Sequence, residues 1–153
     1  MNNLNVCKME GLISPENIKN IQPINSNLKN FITHTRNNIQ DILDRKSNKL
    51  LVIVGPCSIH DYANALEYAK FIKHQRIIHG KYLEIVMRTY FSKPRTNIGW
   101  KGFIYDPDLD GTCNIDKGLN KARELLININ EMGVPCSMEH VDTIIPQYFD
   151  DLI

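Results

Sequence analysis

The residues best suited to chemistry lie in three short stretches, each placed after an apolar run. In the first, Leu50-Leu51-Val52-Ile53-Val54 stops at Gly55-Pro56 and is followed by Cys57, Ser58, His60 and Asp61. A thiol just beyond a strand end can serve as a thiolate metal ligand or as a nucleophile. A half-buried structural cysteine is the competing reading, and position alone leaves both open. His60 and Asp61 could add a second ligand and an orienting carboxylate, but Asp61 reads better as the cap of the next helix and His60 as a solvated loop residue. In the second stretch Arg88 ends the run Leu83-Glu84-Ile85-Val86-Met87, and Lys93, Arg95 and Lys101 follow. Cations so closely spaced suit phosphate or carboxylate, which Arg grips bidentately and Lys meets as a mobile point charge. Pro94 stiffens the centre of Lys93-Pro94-Arg95 and separates its two charges. A solvated basic loop is the alternative; Arg88 at the strand end, with Trp100 and Phe91 as apolar shields, favours an anion site. In the third stretch Glu139 follows Val134 to Met138, where a strand end would aim a carboxylate into the same mouth as general acid/base or water holder. Asp142 reads as a cap or loop carboxylate, His140 as structural, Cys113 and Cys136 as packing residues, and Cys7 has no assignable role.

The elements that must position these residues follow from periodicity. Ser14-Pro15-Glu16 offers an N-cap and an N1 proline to a short helix through Ile18 and Ile21, read as an arm more than a core element. Leu28, Phe31, Ile32, Ile39, Ile42 and Leu43 form one helical stripe, closed by Asp44-Arg45-Lys46. Ala65, Leu66, Ala69 and Ile72 form a second, closed by Gly80. Leu119, Ala122, Leu125, Leu126 and Ile129 form a third, with Gly133 as the expected C′ residue. A last helix is expected from about Ile144. Strands at Leu50 to Val54, Tyr82 to Met87 and Val134 to Met138 alternate with these helices and look buried on both faces. That pattern implies parallel pairing with crossover helices, hence the α/β class. A (β/α)8 barrel needs eight strands in about 250 residues. Only about three are legible, so the chain reads as the N-terminal portion of such a barrel, with residues 1–46 as a helical arm, to which the resemblance given below assigns assembly or regulation, and residues 47–153 as truncated strand-helix units.

The chain has 153 residues, 42% hydrophobic and 23% charged, within the range of one globular domain. Its net charge of +1 gives no global field for nucleic acid or anionic membrane, which points to a small charged metabolite. The four cysteines lack zinc-ribbon or CxxC spacing and no secretory signal opens the chain, so reduced thiols and a cytoplasmic location are expected. The apolar runs fall short of the roughly 20 residues of a membrane helix.

Gly55-Pro56-Cys57-Ser58-Ile59-His60-Asp61, Met87-Arg88-Thr89-Tyr90-Phe91, Lys93-Pro94-Arg95-Thr96, Gly99-Trp100-Lys101-Gly102 and Pro146-Gln147-Tyr148 resemble, in order and spacing, the class I microbial type of 3-deoxy-D-arabino-heptulosonate 7-phosphate (DAHP) synthase. The resemblance runs from about Ser26 to the last residue. It implies the first step of the shikimate route, in which phosphoenolpyruvate and erythrose 4-phosphate condense with loss of phosphate on a (β/α)8 barrel with a divalent metal. By that likeness Cys57 would be a metal ligand, Arg88 and Lys93 would hold phosphoenolpyruvate with Lys93 near the reacting carbonyl, and Pro94, Arg95 and Thr96 would form the binding loop for the phosphate of erythrose 4-phosphate. Glu139 would position the water that attacks the enolpyruvyl carbon. The likeness further implies a homodimer or homotetramer assembled through the N-terminal segment, with Asp142 to Pro146 at the edge of an effector site. The family's other metal ligands come from later strands. The 153 residues alone are therefore expected to show little or no catalysis, and an open parallel edge at the third strand. A non-catalytic assembly module pairing with an intact subunit is the second reading, and another metal-dependent aldolase the third.

Overall fold

The computed structural model describes residues 9–95 and 98–153. Cys7 and Thr96 lie outside the described residues. Helix α1 (Pro15–Ile21) begins at Ser14, whose hydroxyl accepts the Asn17 amide, and α2 (Ser26–Leu43) begins at Asn25, whose side chain accepts the Leu28 amide. Strand β1 (Leu50–Val54) leads to α3 (Tyr62–His79), which Asp61 caps by accepting the Asn64 amide at 2.7 Å. Strand β2 (Leu83–Arg88) leads through a long loop to α4 (Ile115–Glu131), capped by Asn114. Helix α4 ends as expected at Gly133. With φ at +82°, Gly133 donates to the Asn130 carbonyl while Val134 donates to that of Ile129, a left-handed cap that a side chain would strain. Strand β3 (Cys136–Ser137) and a 3-10 turn (Ile145–Tyr148) complete the order.

The three strands form one parallel sheet in the order β1-β2-β3, with Leu50 opposite Leu83, Val54 opposite Met87 and Arg88 opposite Ser137. Parallel strands in register end at one rim, so the segments after β1, β2 and β3 leave the sheet together. That rim carries the chemistry-bearing residues. Beneath it, β2 is buried, and α4 lays Leu119, Ala122, Leu125, Leu126 and Ile129 into the core. The architecture is α/β, a partial barrel of three strands.

Several expectations change. Strand β1 is not buried on both faces: Leu50 is 64% and Ile53 55% exposed, and among the described residues nothing pairs with its outer edge. Open edges therefore lie at both ends of the sheet. Strand β3 has two residues rather than five: the Val134 amide is spent on the Ile129 carbonyl, Pro135 has no amide to donate, and β2 ends at Arg88, opposite Ser137. The last helix is a single 3-10 turn. Asp142 captures the amides of Ile144 and Ile145, and Phe149 and Leu152 donate three residues back, to Pro146 and Phe149. Ile18 of α1 is fully buried, so this helix is part of the core. Phe91 is fully buried too, packed on Phe103 and Phe149 at 6.0 and 6.3 Å; it supports the loop from below and does not shield the site. Cys136 is buried as expected, whereas Cys113 is exposed at a positive φ just before the α4 cap.

A residue with no sequence signal ties α1, α4 and the C-terminal turn together. Arg123, fully buried, donates to both Asp151 oxygens at 2.8 Å, to the Tyr148 carbonyl at 2.9 Å and to the Gln22 carbonyl at 3.0 Å. Burial works to raise the Asp151 carboxyl, but hydrogen bonds and charge from Arg123, with Lys19 adding, hold it below the usual range. Every nitrogen of this guanidinium has a protein partner.

Candidate active site at the strand ends

Gly55 breaks β1 and brings the chain against Arg88. A Cβ at Gly55 would lie 2.4 Å from the Arg88 carbonyl oxygen and 2.9 Å from its Cβ, so only glycine allows this approach. The two rim segments are then sewn together by the Ile59 amide, which donates to the Tyr90 carbonyl at 2.7 Å. Arg88 reaches across the join. Its terminal nitrogen donates to the carbonyls of Pro56 at 3.1 Å and Cys57 at 3.2 Å, and its guanidinium lies 4.2 Å from the Tyr90 ring centroid, where the ring face attracts it. Its Nε is buried without a hydrogen-bond partner among the described residues.

Lys93 converges on the same point. Its Nζ donates to the Cys57 Sγ at 3.0 Å and to the Cys57 carbonyl at 3.1 Å. The hydrogen bond and charge of Lys93 hold the exposed Cys57 thiol below its ordinary range; partial desolvation opposes this, and Arg88 and Arg95 add smaller Coulombic contributions. The structure thus unites Cys57, Arg88 and Lys93, as the spacing predicts. Pro94 and Arg95 are exposed at the rim, and the Arg95 guanidinium makes no hydrogen bond among the described residues. A thiol facing cations with unused donors is arranged to receive anionic oxygens.

The other candidates are placed differently. Glu139 is exposed beyond β3 and makes no hydrogen bond or ion pair with Cys57, Arg88 or Lys93 among the described residues. His60 and His140 are exposed loop residues. Asp142 caps the terminal 3-10 turn and accepts the Tyr105 hydroxyl at 3.3 Å; burial and this carboxylate push the Tyr105 phenol up. Pro146 lies inside that turn.

The sequence pattern of the DAHP synthetase I family matches residues 11–153. This chain belongs to that family. Similar proteins include the Trp-sensitive phospho-2-dehydro-3-deoxyheptonate aldolases of Salmonella typhi, 45% identical over 150 residues, and of Escherichia coli strain K12, 44% identical, each match covering 98% of this chain and 43% of the relative. A solved phospho-2-dehydro-3-deoxyheptonate aldolase from Francisella tularensis SCHU S4 superposes with a TM-score of 0.93 at 46% identity, over 97% of this chain and 44% of that one. The chain spans less than half the length of the curated relatives it matches.

The family resemblance implies a divalent metal, and the fit can be tested on the donor set. Cys57 is a suitable thiolate donor, but the described residues contain no cluster of three His, Cys, Asp or Glu able to hold an ion. One thiolate alone does not make a metal site; Cys57 fits as a single donor of a larger set. Sequence reasoning missed Tyr90 and Gly55 as supports of Arg88. Gly-Pro after an apolar run signals a break, but which residue fills the space a glycine leaves is a tertiary fact.

Proposed function

We propose that this chain forms the substrate-binding front of a DAHP synthase, acting in the cytoplasm, which condenses phosphoenolpyruvate with erythrose 4-phosphate and releases phosphate at the first step of aromatic amino acid biosynthesis. The observation that carries this reading is the meeting of Arg88 and Lys93 on Cys57 at the rim of a parallel sheet. In this reading Arg88 and Lys93 hold the phosphate and carboxylate of phosphoenolpyruvate, and neutralise charges that would otherwise repel the second substrate. Pro94 fixes the spacing at which Arg95 and Thr96 take the phosphate of erythrose 4-phosphate. Glu139 positions the attacking water once further strand-helix units enclose the mouth. A divalent metal would take Cys57 as one ligand, with its other donors supplied by those units, and would act there as a Lewis acid on the aldehyde oxygen. Asp142 and Pro146 border an effector site, and residues 1–46 serve assembly as a dimer or tetramer.

Calorimetric titration of the chain with phosphoenolpyruvate tests the binding half of this reading. Binding is expected, weakened about tenfold or more in Arg88→Met, the size of a lost charge-assisted hydrogen bond. Equal binding by both proteins, or none by either, overturns it.

A further inference from the structure

The loop carrying Lys93 is not held by the strands alone. The Lys93 amide donates to the Lys101 carbonyl at 2.8 Å, so the place of Lys93 depends on where residues 100–102 lie. Those residues are fixed in turn: the Trp100 indole donates to the Asp106 carbonyl at 2.8 Å, and both Asp106 carboxylate oxygens accept the Gly111 amide. The far side of this loop sits on α4. A Cβ at Gly118 would lie 2.0 Å from the Ile104 carbonyl oxygen, so helix and loop backbones touch there. Beside that contact the Asp108 carboxylate meets Lys117 at 2.6 Å and Lys121 at 3.5 Å. Asp106, Asp108, Asp110 and Gly111 carry the spacing with which a calcium loop begins, but its twelfth position, where such a loop places a bidentate Glu, is Lys117. An ammonium from α4 supplies the positive charge that this acidic loop requires.

We propose that Asp108 is a positioning residue for the anion loop: held by Lys117 and Lys121, it fixes the segment 100–111 on α4 and thereby sets the place of Lys93. The path runs from α4 to Asp108, along the backbone to Asp106, across to the Trp100 indole, and through Lys101 to the Lys93 amide; Asp108, Asp106 and Trp100 need touch no ligand. The proposal deepens the anion-site reading and rests on it for its ligand.

Trp100 is the single tryptophan of the chain, so its emission reports on this segment alone. The experiment compares the chain with Asp108→Asn and Asp108→Glu by Trp100 emission and acrylamide quenching, by amide hydrogen exchange, and by titration with inorganic phosphate. In Asp108→Asn, greater Trp100 accessibility and Lys93 amide exchange about three- to fivefold faster are expected, the size of a lost exposed ion pair, with Ile85 and Val86 unchanged. Phosphate affinity should fall by a similar factor, and Asp108→Glu should recover most of each effect. Unchanged Lys93 exchange, or an equal acceleration at Ile85 and Val86, overturns the proposal. If the unaltered chain binds no phosphate, the anion-site reading fails, and the exchange of Lys93 still decides the role of Asp108.

Discussion

Two arginines define two regions that differ in how completely their charges are used. Arg123, under the C-terminal turn, has every nitrogen bonded to a protein acceptor and no exposed surface. Arg88, at the rim, uses one terminal nitrogen on two loop carbonyls, rests on the Tyr90 ring and leaves Nε without a hydrogen-bond partner among the described residues. A saturated buried cation is committed to holding elements together, whereas a braced cation with unused donors remains available to a ligand. In the sequence a strand end marks Arg88 as a candidate, whereas nothing marks Arg123 as a buried hub.

The comparison breaks most readily at Asp151. Asp151→Asn leaves the buried guanidinium without its carboxylate and is expected to cost about 3 kcal/mol in urea unfolding, less than a fully enclosed pair because Asp151 is partly exposed. Arg88→Met should cost only about 1 kcal/mol, since it loses neutral carbonyl acceptors. Equal losses would place both arginines in one class.

The pH dependence sharpens the same contrast. The folded Asp151 carboxyl titrates below its unfolded value, so its contribution is fully present above the ordinary carboxylate pKa of about 4 and is lost as pH falls through the folded value. Urea midpoints measured from about pH 6 to 2 should fall less steeply in Asp151→Asn than in the unaltered chain. Parallel acid limbs would remove Asp151 from the explanation.

The smallest effect concerns the rim. With Cys7 and Cys113 replaced by Ser, alkylation at neutral pH should modify Cys57 faster than an ordinary thiol. Lys93→Met should slow this by about fivefold, because the thiolate loses its donor and nearest charge. Cys136, whose thiol is pushed up by burial, should stay unmodified until unfolding. An unchanged rate in Lys93→Met would detach the lysine from the thiol.

Much of the fold was legible because it is local. The helix that carries the stripe from Leu28, the caps at Ser14 and Asp61 and the left-handed stop at Gly133 involve neighbours within a few positions, and the structure forms each of them, although Leu43 at the end of that stripe is 71% exposed. The site was legible in part for a related reason. Parallel strands deliver whatever follows them to one rim, so Cys57, Arg88 and Lys93 meet once the strands are recognised. What escaped depends on distant partners. Ile18 belongs to the core through contacts remote in sequence, and β1 is exposed because no described strand pairs with its outer edge.

By itself, then, the sequence determined the α/β order of elements, the rim to which the thiol and cations are carried, and the family. Periodicity, caps and motif spacing are written along the chain. Only the tertiary structure decided that Arg123 is a hub, that Phe91 is core, that Glu139 makes no hydrogen bond or ion pair with Cys57, Arg88 or Lys93 among the described residues, and that Asp108 meets Lys117 and Lys121 of α4. A side chain's role follows from whether its polar atoms are already satisfied, and the partners that satisfy them come from residues as far as 135 positions away.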